Sequence, residues 1–192
     1  MSIRKDKIDF FEQTVADFFH KAGREYLPWR KKGITAYEVW VSEIMLQQTQ
    51  VSTVIPYYAR FLASFPDVLA LAAAPIELVI AHWAGLGYYA RARNLHRCAR
   101  EIVAVHAGKW PNSASQLSAL PGIGRSTAAA IAAFAFGQRA AILDGNVRRV
   151  LCRQFAIEGF PGQSAVDREL WALAERLLPA ADIESYTQGL MD

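Results

Sequence analysis

The segment 126–136 most constrains what this chain can fold into, because it is apolar on almost every side. Residues 128–134 are all Ala, Ile or Phe. A helix of this composition has no polar face to turn towards water, so it must be buried, and its small side chains let neighbouring helices approach closely. We therefore expect it to be the central helix of the fold.

Helical periodicity also runs through most of the remaining chain, and no convincing two-residue alternation indicates a sheet. Apolar residues with the 3–4 spacing of one helix face recur in two stretches, which are Ile8, Phe11, Val15, Phe18 and Ala22, and then Ala92, Leu95, Ala99 and Ile102. Capping boxes predict two helix starts, at Thr35 with Glu38 and at Ser113 with Gln116. Prolines are expected to separate short helices at Pro56, Pro66, Pro75 and Pro111. The prediction is an all-α fold.

The charge of the 192-residue chain is unevenly distributed. Residues 1–153 contain 19 Lys and Arg against 11 Asp and Glu, whereas residues 154–192 contain 2 against 7. This asymmetry favours a surface that faces a polyanion, although a solvated basic face would explain it too. The apolar runs are too short to span a membrane, and two cysteines make no disulfide framework, so we expect a cytoplasmic protein without a membrane partner.

A glycine-containing turn, LPGIGRSTA at residues 120–128, lies between two helical stretches. Gly122 and Gly124 allow a tight turn and remove the Cβ atoms that would block a ligand. The turn exposes backbone N–H groups at a helix N-terminus, where the helix dipole favours an anion such as a DNA phosphate. This string resembles the helix-hairpin-helix motif of DNA repair proteins, whereas a bare pair of glycines would indicate only a helix connection.

Two carboxylates stand in apolar surroundings. Glu43 lies within WVSEIML, and Asp144 follows AIL and precedes Gly145. Burial raises the pKa of a carboxyl and suits a general acid, whereas a carboxylate beside polar groups stays ionised, and such a pair can cleave a bond to a sugar. Structural interpretations stay open at this point, because Glu43 could pair with a buried arginine and Asp144 could cap the next helix.

Together these strings resemble the endonuclease III superfamily of helix-hairpin-helix DNA glycosylases and, within it, the adenine DNA glycosylases. The resemblance covers nearly the whole chain. It rests on LPWR at 27–30, SEIMLQQTQV at 42–51, GLGYYARARN at 85–94, the turn at 120–128, and LDGNVRR at 143–149. It implies a two-lobed fold, with a six-helix barrel over 28–139 and a second helical lobe built from 1–27 and 140–192.

The resemblance also implies roles for individual residues. Glu43 would protonate the departing adenine at N7, Asp144 would stabilise or transiently bond the sugar C1′, and Asn146 would hold this region. The implied pocket for the extruded adenine consists of Trp29, Arg30, Leu46, Val51, Ser126 and Gln188. The implied DNA contacts are made by Gln48, Thr49, Leu86, Tyr88, Gly122, Gly124, Arg125 and Thr127. From residue types alone, structural roles are favoured for two of these residues, with Tyr88 packing in the core and Trp29 anchoring a helix.

The expected substrate is double-stranded DNA in which adenine is mispaired with 8-oxoguanine or guanine, bound by a monomer. Ser126 occupies the position where the bifunctional relatives have a Schiff-base lysine. Because a hydroxyl cannot form an imine, we expect base removal by hydrolysis without strand cleavage.

The family normally carries a [4Fe–4S] cluster on four cysteines in a segment beyond the end of this chain. We therefore expect the cluster in the full-length protein, no cofactor in this chain, and a folded but impaired fragment. Cys98 and Cys152 do not match ligand positions and are expected to be small buried hydrophobes. No metal is assigned to the histidines, which are His20, His82, His96 and His106.

Two other functions compete with adenine removal. One is a pyrimidine-damage glycosylase of the endonuclease III kind, which Ser126 and the LDGN string argue against. The other is a non-catalytic DNA-binding fragment that uses only the hairpin, which the presence of both Glu43 and Asp144 argues against.

Overall fold

The computed structural model describes residues 4–160 and 162–192, and these form α-helices and loops without a β-strand. The prediction of an all-α fold is confirmed for this part of the chain. The chain divides into two compact units, which we call the terminal unit (Met1–Glu25 and Gly137–Asp192) and the central unit (Tyr26–Phe136). The lobe predicted over 1–27 and 140–192 includes residues 1–3 and 161, which lie outside the described residues.

The central unit is built around the apolar helix that the sequence singles out. Its elements are a short 3-10 turn at Pro28–Arg30, then α2 Ala36–Leu46, α3 Val51–Ser64, α4 Val68–Ala73, α5 Ile76–Trp83, α6 Ala90–His106, α7 Ala114–Ser118 and α8 Arg125–Phe136. Residues 127–133 of α8 are all buried, and α8 packs against α2 and α7. The expected burial is confirmed for these residues, whereas Phe134 is half-buried and Phe136 is 37% exposed. Within the described residues, no helix combines the length and the apolarity of a membrane span.

Both predicted helix starts are present. The Thr35 hydroxyl accepts from the Glu38 N–H at 3.2 Å, and the Glu38 carboxylate accepts from the Thr35 N–H at 2.9 Å, which completes a capping box at the start of α2. Ser113 caps α7 by accepting from the Gln116 N–H at 3.3 Å. Caps of this kind typically stabilise a helix by about 1 kcal/mol each, so they fix where α2 and α7 begin.

One predicted boundary is wrong, because Pro56 lies inside α3 rather than at its end. Proline removes one backbone donor and so leaves the carbonyl four residues earlier without its helical partner. That carbonyl belongs to Ser52, which is exposed on the solvent side of the helix, where water can satisfy it. Helix α3 therefore continues through the proline.

Large aromatic side chains hold α2, α3 and α5 together. Trp40, Phe61 and Trp83 are each less than 2% exposed, and the rings of Phe61 and Trp83 meet edge to face at 6.0 Å. Burying a side chain of this size contributes on the order of 2–3 kcal/mol relative to leaving it in water. The loops that follow α2 and α5 are thus attached to helices that are well packed in the core.

The terminal unit packs α1 (Lys5–Ala22) and α9 (Gly145–Phe155) against α11 (Ile183–Met191), with α10 (Ser164–Arg176) against α9. Phe11 contacts the rings of Phe155 and Tyr186 at 5.3 and 6.4 Å. Gly189 of α11 lies so close to α1 that a Cβ there would stand 2.6 Å from the Val15 carbonyl oxygen.

The predicted face of α1 is buried at Phe11 and Val15 and half-buried at Ile8, but it is wrong at Phe18, which is 46% exposed, and at Ala22, which is also exposed. Helix α11 crosses α1 over Val15 and Phe19, because Gly189 gives it room to approach there. The inner face therefore follows residues 11, 15 and 19 instead of turning to Phe18.

Candidate active site

Glu43 lies on α2, on a turn of the helix that is otherwise packed into the core. Its neighbours Ser42 and Ile44 are 2% and 4% exposed, while Glu43 itself is half-buried. The helix therefore holds the carboxyl at the boundary between the apolar interior and solvent. A general acid needs such a position, since it must be partly desolvated and still reach a substrate.

The chain leaves α2 through a tight turn that carries Gln48. Gln47 has φ −58° and ψ 112°, Gln48 has φ +56°, and the Thr49 N–H donates to the Leu46 carbonyl at 3.2 Å. This is a type II turn with glutamine where glycine is normally required. The exposed Gln48 is thus held in a strained left-handed conformation, and such strain is concentrated at functional sites.

A second strained residue follows α5. Tyr88 has φ +50° and is 62% exposed, whereas Leu86, two residues earlier, is only 6% exposed. The indole N–H of Trp83 donates to the Gly87 carbonyl at 3.1 Å and fixes the loop between them. The core-packing interpretation of Tyr88 is therefore wrong, because its ring projects into solvent.

The predicted helix-hairpin-helix turn joins α7 to α8. Gly122 has φ +75°, and a Cβ there would lie 2.8 Å from Cβ of Asn94 on α6. Gly124 has open space where its Cβ would be, and it stands directly before the first turn of α8. Gly122 therefore serves the packing of the turn, and Gly124 keeps the approach to the N–H groups at the start of α8 clear.

The side chains at the start of α8 differ in exposure. Arg125 is exposed, Ser126 is half-buried and Thr127 is 8% exposed. The Arg125 side chain thus lies at the surface, while Thr127 belongs largely to the packed part of the helix.

The pocket residues predicted in the central unit lie at helix ends. Trp29, on the 3-10 turn, is 8% exposed and packs edge to face on Tyr58 at 5.4 Å. Arg30 beside it is half-buried, as are Leu46 at the end of α2 and Val51 at the start of α3. At 8% exposure, Trp29 is packed as its structural interpretation predicts, and its place in an adenine pocket stays a prediction.

In the terminal unit, Asp144 is the N-cap of α9. Its Oδ1 accepts from the Val147 N–H at 2.8 Å, as the capping interpretation predicts. Burial raises the pKa of the Asp144 carboxyl, and hydrogen bonds from the Val147 and Asn146 N–H groups and the charges of Arg149 and Arg148 offset this only in part. Burial therefore outweighs the hydrogen bonds and charges that favour the ionised form of Asp144.

Asn146 fixes the start of α9 to the end of α11. Its Nδ2 donates to the Met191 carbonyl at 3.1 Å, and its Oδ1 accepts from Arg149 at 2.8 Å. Gln188 on α11 is 5% exposed and lies among the buried residues of that helix. The orientation of Asp144 and the position of α11 thus depend on one another.

Sequence reasoning missed two residues of α6 that support the loops of the central unit. Arg91 donates to carbonyl oxygens at the end of α2 and in the loop after α5. The Asn94 side chain lies directly against Gly122 of the hairpin. Both belong to the GLGYYARARN string, but nothing in its spacing distinguishes them from the neighbouring polar residues. The α2 partners of Arg91 and the hairpin partner of Asn94 are distant in sequence, so only the fold reveals these contacts.

Metal ligands are not assembled in the described residues. Within 4–160 and 162–192, no three His, Cys, Asp or Glu side chains lie together in a way that could hold a metal ion. Cys98 is buried, and burial raises the pKa of its thiol to about 12, whereas Cys152 is half-buried. These two thiols do not fit an iron–sulfur cluster, and they behave as apolar side chains.

Curated proteins similar in sequence are adenine DNA glycosylases. The chain is 42% identical over 182 residues to the adenine DNA glycosylase of Buchnera aphidicola subsp. Baizongia pistaciae, a match that covers 95% of this chain and 51% of that protein. It is 43% identical to the human adenine DNA glycosylase, over 97% of this chain and 35% of the human protein. The chain thus spans about half the length of the bacterial relative and about a third of the human one.

Solved structures with a similar fold include a thymine-DNA glycosylase and endonuclease III. A thermostable thymine-DNA glycosylase matches with a TM-score of 0.86 and 28% identity, covering 97% of this chain and 85% of that one. A non-covalent endonuclease III–DNA complex matches with a TM-score of 0.79 over 99% of this chain and 86% of that one. At 21% identity, the second likeness establishes the fold alone.

The sequence pattern of one protein family covers most of the chain. Residues 41–176 match the HhH-GPD superfamily of base excision DNA repair proteins, and this range includes Glu43, the hairpin and Asp144. The match therefore spans residues of both structural units. On this evidence the chain belongs to the HhH-GPD superfamily of base excision DNA repair proteins.

Proposed function

We propose that this chain is a monofunctional DNA glycosylase that removes adenine mispaired with 8-oxoguanine or guanine from double-stranded DNA. The proposal is supported by identities above 40% to adenine DNA glycosylases over nearly the whole chain. Binding to DNA is further supported by the open approach to the hairpin at Gly124 and by the basic excess of residues 1–153.

The single observation that carries the proposal is the pair of strained, exposed side chains Gln48 and Tyr88. A base inside a duplex is inaccessible to a catalytic carboxyl, so it must be flipped out at a cost of a few kcal/mol. Side chains that enter the DNA duplex and fill the gap left by the flipped base offset part of this cost. Gln48 and Tyr88 stand on hydrogen-bonded loops, and Gln48 follows Glu43 just after the end of the same helix.

The proposed reaction breaks the bond between adenine N9 and the sugar C1′. A proton moves from Glu43 to N7 of adenine, and the bonding electron pair leaves with the base. Positive charge then develops on C1′ and the ring oxygen, where the Asp144 carboxylate stabilises it. Water adds to C1′ and returns a proton to Glu43, which leaves an abasic site and regenerates the acid.

Asn146 acts as a positioning residue in this scheme. It holds the first turn of α9 through the Met191 carbonyl and Arg149, and this turn supplies the N–H groups that orient the Asp144 carboxylate. Ser126 supplies no amine, so no imine forms with C1′ and the DNA strand stays intact.

The remaining expectations stay predictions. A [4Fe–4S] cluster in the full-length protein, a monomeric state and a cytoplasmic location are all consistent with the family, and no step above depends on them. Sedimentation of the purified chain would test the monomer directly.

A panel of duplexes tests the function. We expect product from adenine opposite 8-oxoguanine or guanine, strand breakage only after alkali, and no borohydride-trapped complex. Thymine opposite guanine and an oxidised pyrimidine serve as controls, because the chain shares its fold with a thymine-DNA glycosylase and endonuclease III. Cleavage of the control duplexes in place of adenine, or breakage without alkali, would refute the proposal.

A further inference from the structure

Arg91, in the first turn of α6, makes an unusual set of hydrogen bonds. Its Nη1 donates to the carbonyl oxygens of Ile44 and Met45, both at 2.9 Å, and to that of Gln47 at 2.5 Å. Its Nη2 donates to the Thr49 hydroxyl at 3.2 Å and to two more carbonyl oxygens, those of Leu86 at 3.2 Å and Gly87 at 3.4 Å. The four N–H groups of Nη1 and Nη2 share these six neutral oxygens, so some of the hydrogen bonds are bifurcated and none of the acceptors offsets the positive charge of the guanidinium.

These acceptors belong to two segments that are far apart in sequence. The first four lie at the end of α2 and in its following turn, where the last helical carbonyls have no partner within the helix. A cation is also favoured at this end of the helix dipole. The other two lie in the loop after α5. One side chain thus joins the turn at 46–49 to the loop at 86–88.

Each joined segment carries one non-glycine residue in the left-handed conformation. Gln48 lies between the acceptors Gln47 and Thr49, and Tyr88 directly follows the acceptor Gly87. The guanidinium carbon also stands 5.5 Å from the centre of the Tyr88 ring. Conformations of this kind cost on the order of 1–3 kcal/mol each and persist only where surrounding contacts enforce them.

We propose that Arg91 is a positioning residue that clamps the turn at 46–49 and the loop at 86–88 into one rigid wedge, so that Gln48 and Tyr88 enter DNA together. The role of this clamp on DNA rests on the proposed function. The alternative, a direct phosphate contact by Arg91, is disfavoured because Nη1 and Nη2 are already engaged and Nε is buried.

The test compares Arg91→Met and Arg91→Lys with Arg100→Met, which removes the same charge from an exposed position further along α6. Amide hydrogen exchange in residues 46–50 and 85–89 should accelerate about 10- to 100-fold in Arg91→Met, because several hydrogen bonds to a charged donor are lost. The exchange rates of Arg91→Lys should lie between those of the wild type and Arg91→Met, and those of Arg100→Met should match the wild type. Exchange in residues 128–133 of α8 should not change, which separates a local clamp from general unfolding.

Excision supplies the second measurement. Under single-turnover conditions, the excision rate of Arg91→Met should fall about tenfold or more on paired adenine. The rate should fall much less when the adenine lies unpaired in a small internal loop, because an unpaired base costs less to flip out. Acceleration of only one segment, or an equal loss on both substrates, would overturn the clamp. A wild-type chain that excises no adenine would refute the proposed function, whereas the exchange rates would still decide whether Arg91 joins the two segments.

Discussion

Asp144 serves as a helix cap and as the candidate stabiliser of a sugar cation, and the two roles make different demands on its charge. Capping needs only an oxygen that accepts from Val147. Stabilising a cation needs the ionised form, which burial disfavours by raising the pKa of the carboxyl. Because the folded protein binds this proton more tightly than the unfolded chain, the contribution of Asp144 to stability is full below its unfolded pKa and is lost as pH rises through its folded pKa.

Asp144→Asn should therefore separate the two roles. Asparagine caps a helix as well as aspartate does and carries no buried charge, so we expect an unchanged or higher melting temperature at neutral pH. Abasic-site formation should fall by at least about 100-fold, because the electrostatic partner of C1′ is lost. Asp144→Ala is the matched control and should be inactive and also less stable by about 1 kcal/mol. An active Asp144→Asn, or one as unstable as Asp144→Ala, would contradict this assignment.

The two glycines of the hairpin give a second matched pair. Gly122→Ala should lower the free energy of unfolding by about 1–2 kcal/mol, because its φ is positive and its Cβ would collide with Asn94. Gly124→Ala meets open space and should cost less stability, but its methyl group should weaken DNA binding several-fold. Chemical denaturation and anisotropy titrations measure the two effects. Equal losses of stability with unchanged DNA affinity would show that neither glycine serves the ligand.

At the scale of elements, α6 organises the exposed loops of the central unit. Its first turn holds the turn after α2 and the loop after α5 through Arg91, and its second turn supports the hairpin through Asn94. The helix itself is anchored by an apolar face at Ala92, Leu95, Ala99 and Ile102, all buried as the periodicity predicts. The sequence pattern thus predicts the buried face that anchors α6, but it does not reveal the contacts of Arg91 and Asn94 with the loops.

Strain in the turn after α2 can be tested by Gln48→Gly. Glycine adopts the left-handed conformation freely, so we expect stability to rise by up to about 1 kcal/mol. Excision of paired adenine should nevertheless fall, because no side chain remains at this position to fill the gap in the duplex. Gln47→Gly is the control: Gln47 has an ordinary φ of −58°, and glycine there should lower stability. A Gln48→Gly variant that is less stable than the wild type would argue against strain.

At the scale of the whole molecule, the sequence predicts those features whose causes are local. Burial of α8, the caps at Thr35 and Ser113 and the glycines of the hairpin follow from composition and short spacing. The predicted helix end at Pro56 and the predicted burial of Phe18 are wrong, because they depend on surroundings that a local pattern does not contain. Solvent around α3 lets the helix continue through Pro56, and the packing of α11 against α1 leaves Phe18 exposed. The Arg91 contacts lie beyond such reasoning, since the partners on α2 and its turn are 42 to 47 residues away in the chain.

The uneven charge of the chain predicts how its DNA affinity depends on salt. If the hairpin and the basic residues neutralise about four to six phosphates, the logarithm of the binding constant should fall with the logarithm of salt concentration with a slope of about −4 to −5. Anisotropy titrations on undamaged duplex between low and moderate salt measure the slope. A slope near zero would show that the basic excess is only a solvated surface.

The most direct test of the account is single-turnover excision by Glu43→Gln on a duplex with adenine opposite 8-oxoguanine, with binding measured on the same duplex. Glutamine keeps the size and hydrogen bonding of the side chain but has no acidic proton. We predict that abasic-site formation falls by at least about 100-fold while the affinity for DNA stays within a few-fold of the wild type. Excision at the wild-type rate would contradict the assignment of Glu43 as the acid. Binding without excision in the wild type as well would contradict catalysis by this chain, and excision by the full-length protein would then distinguish an impaired fragment from a non-catalytic DNA-binding protein.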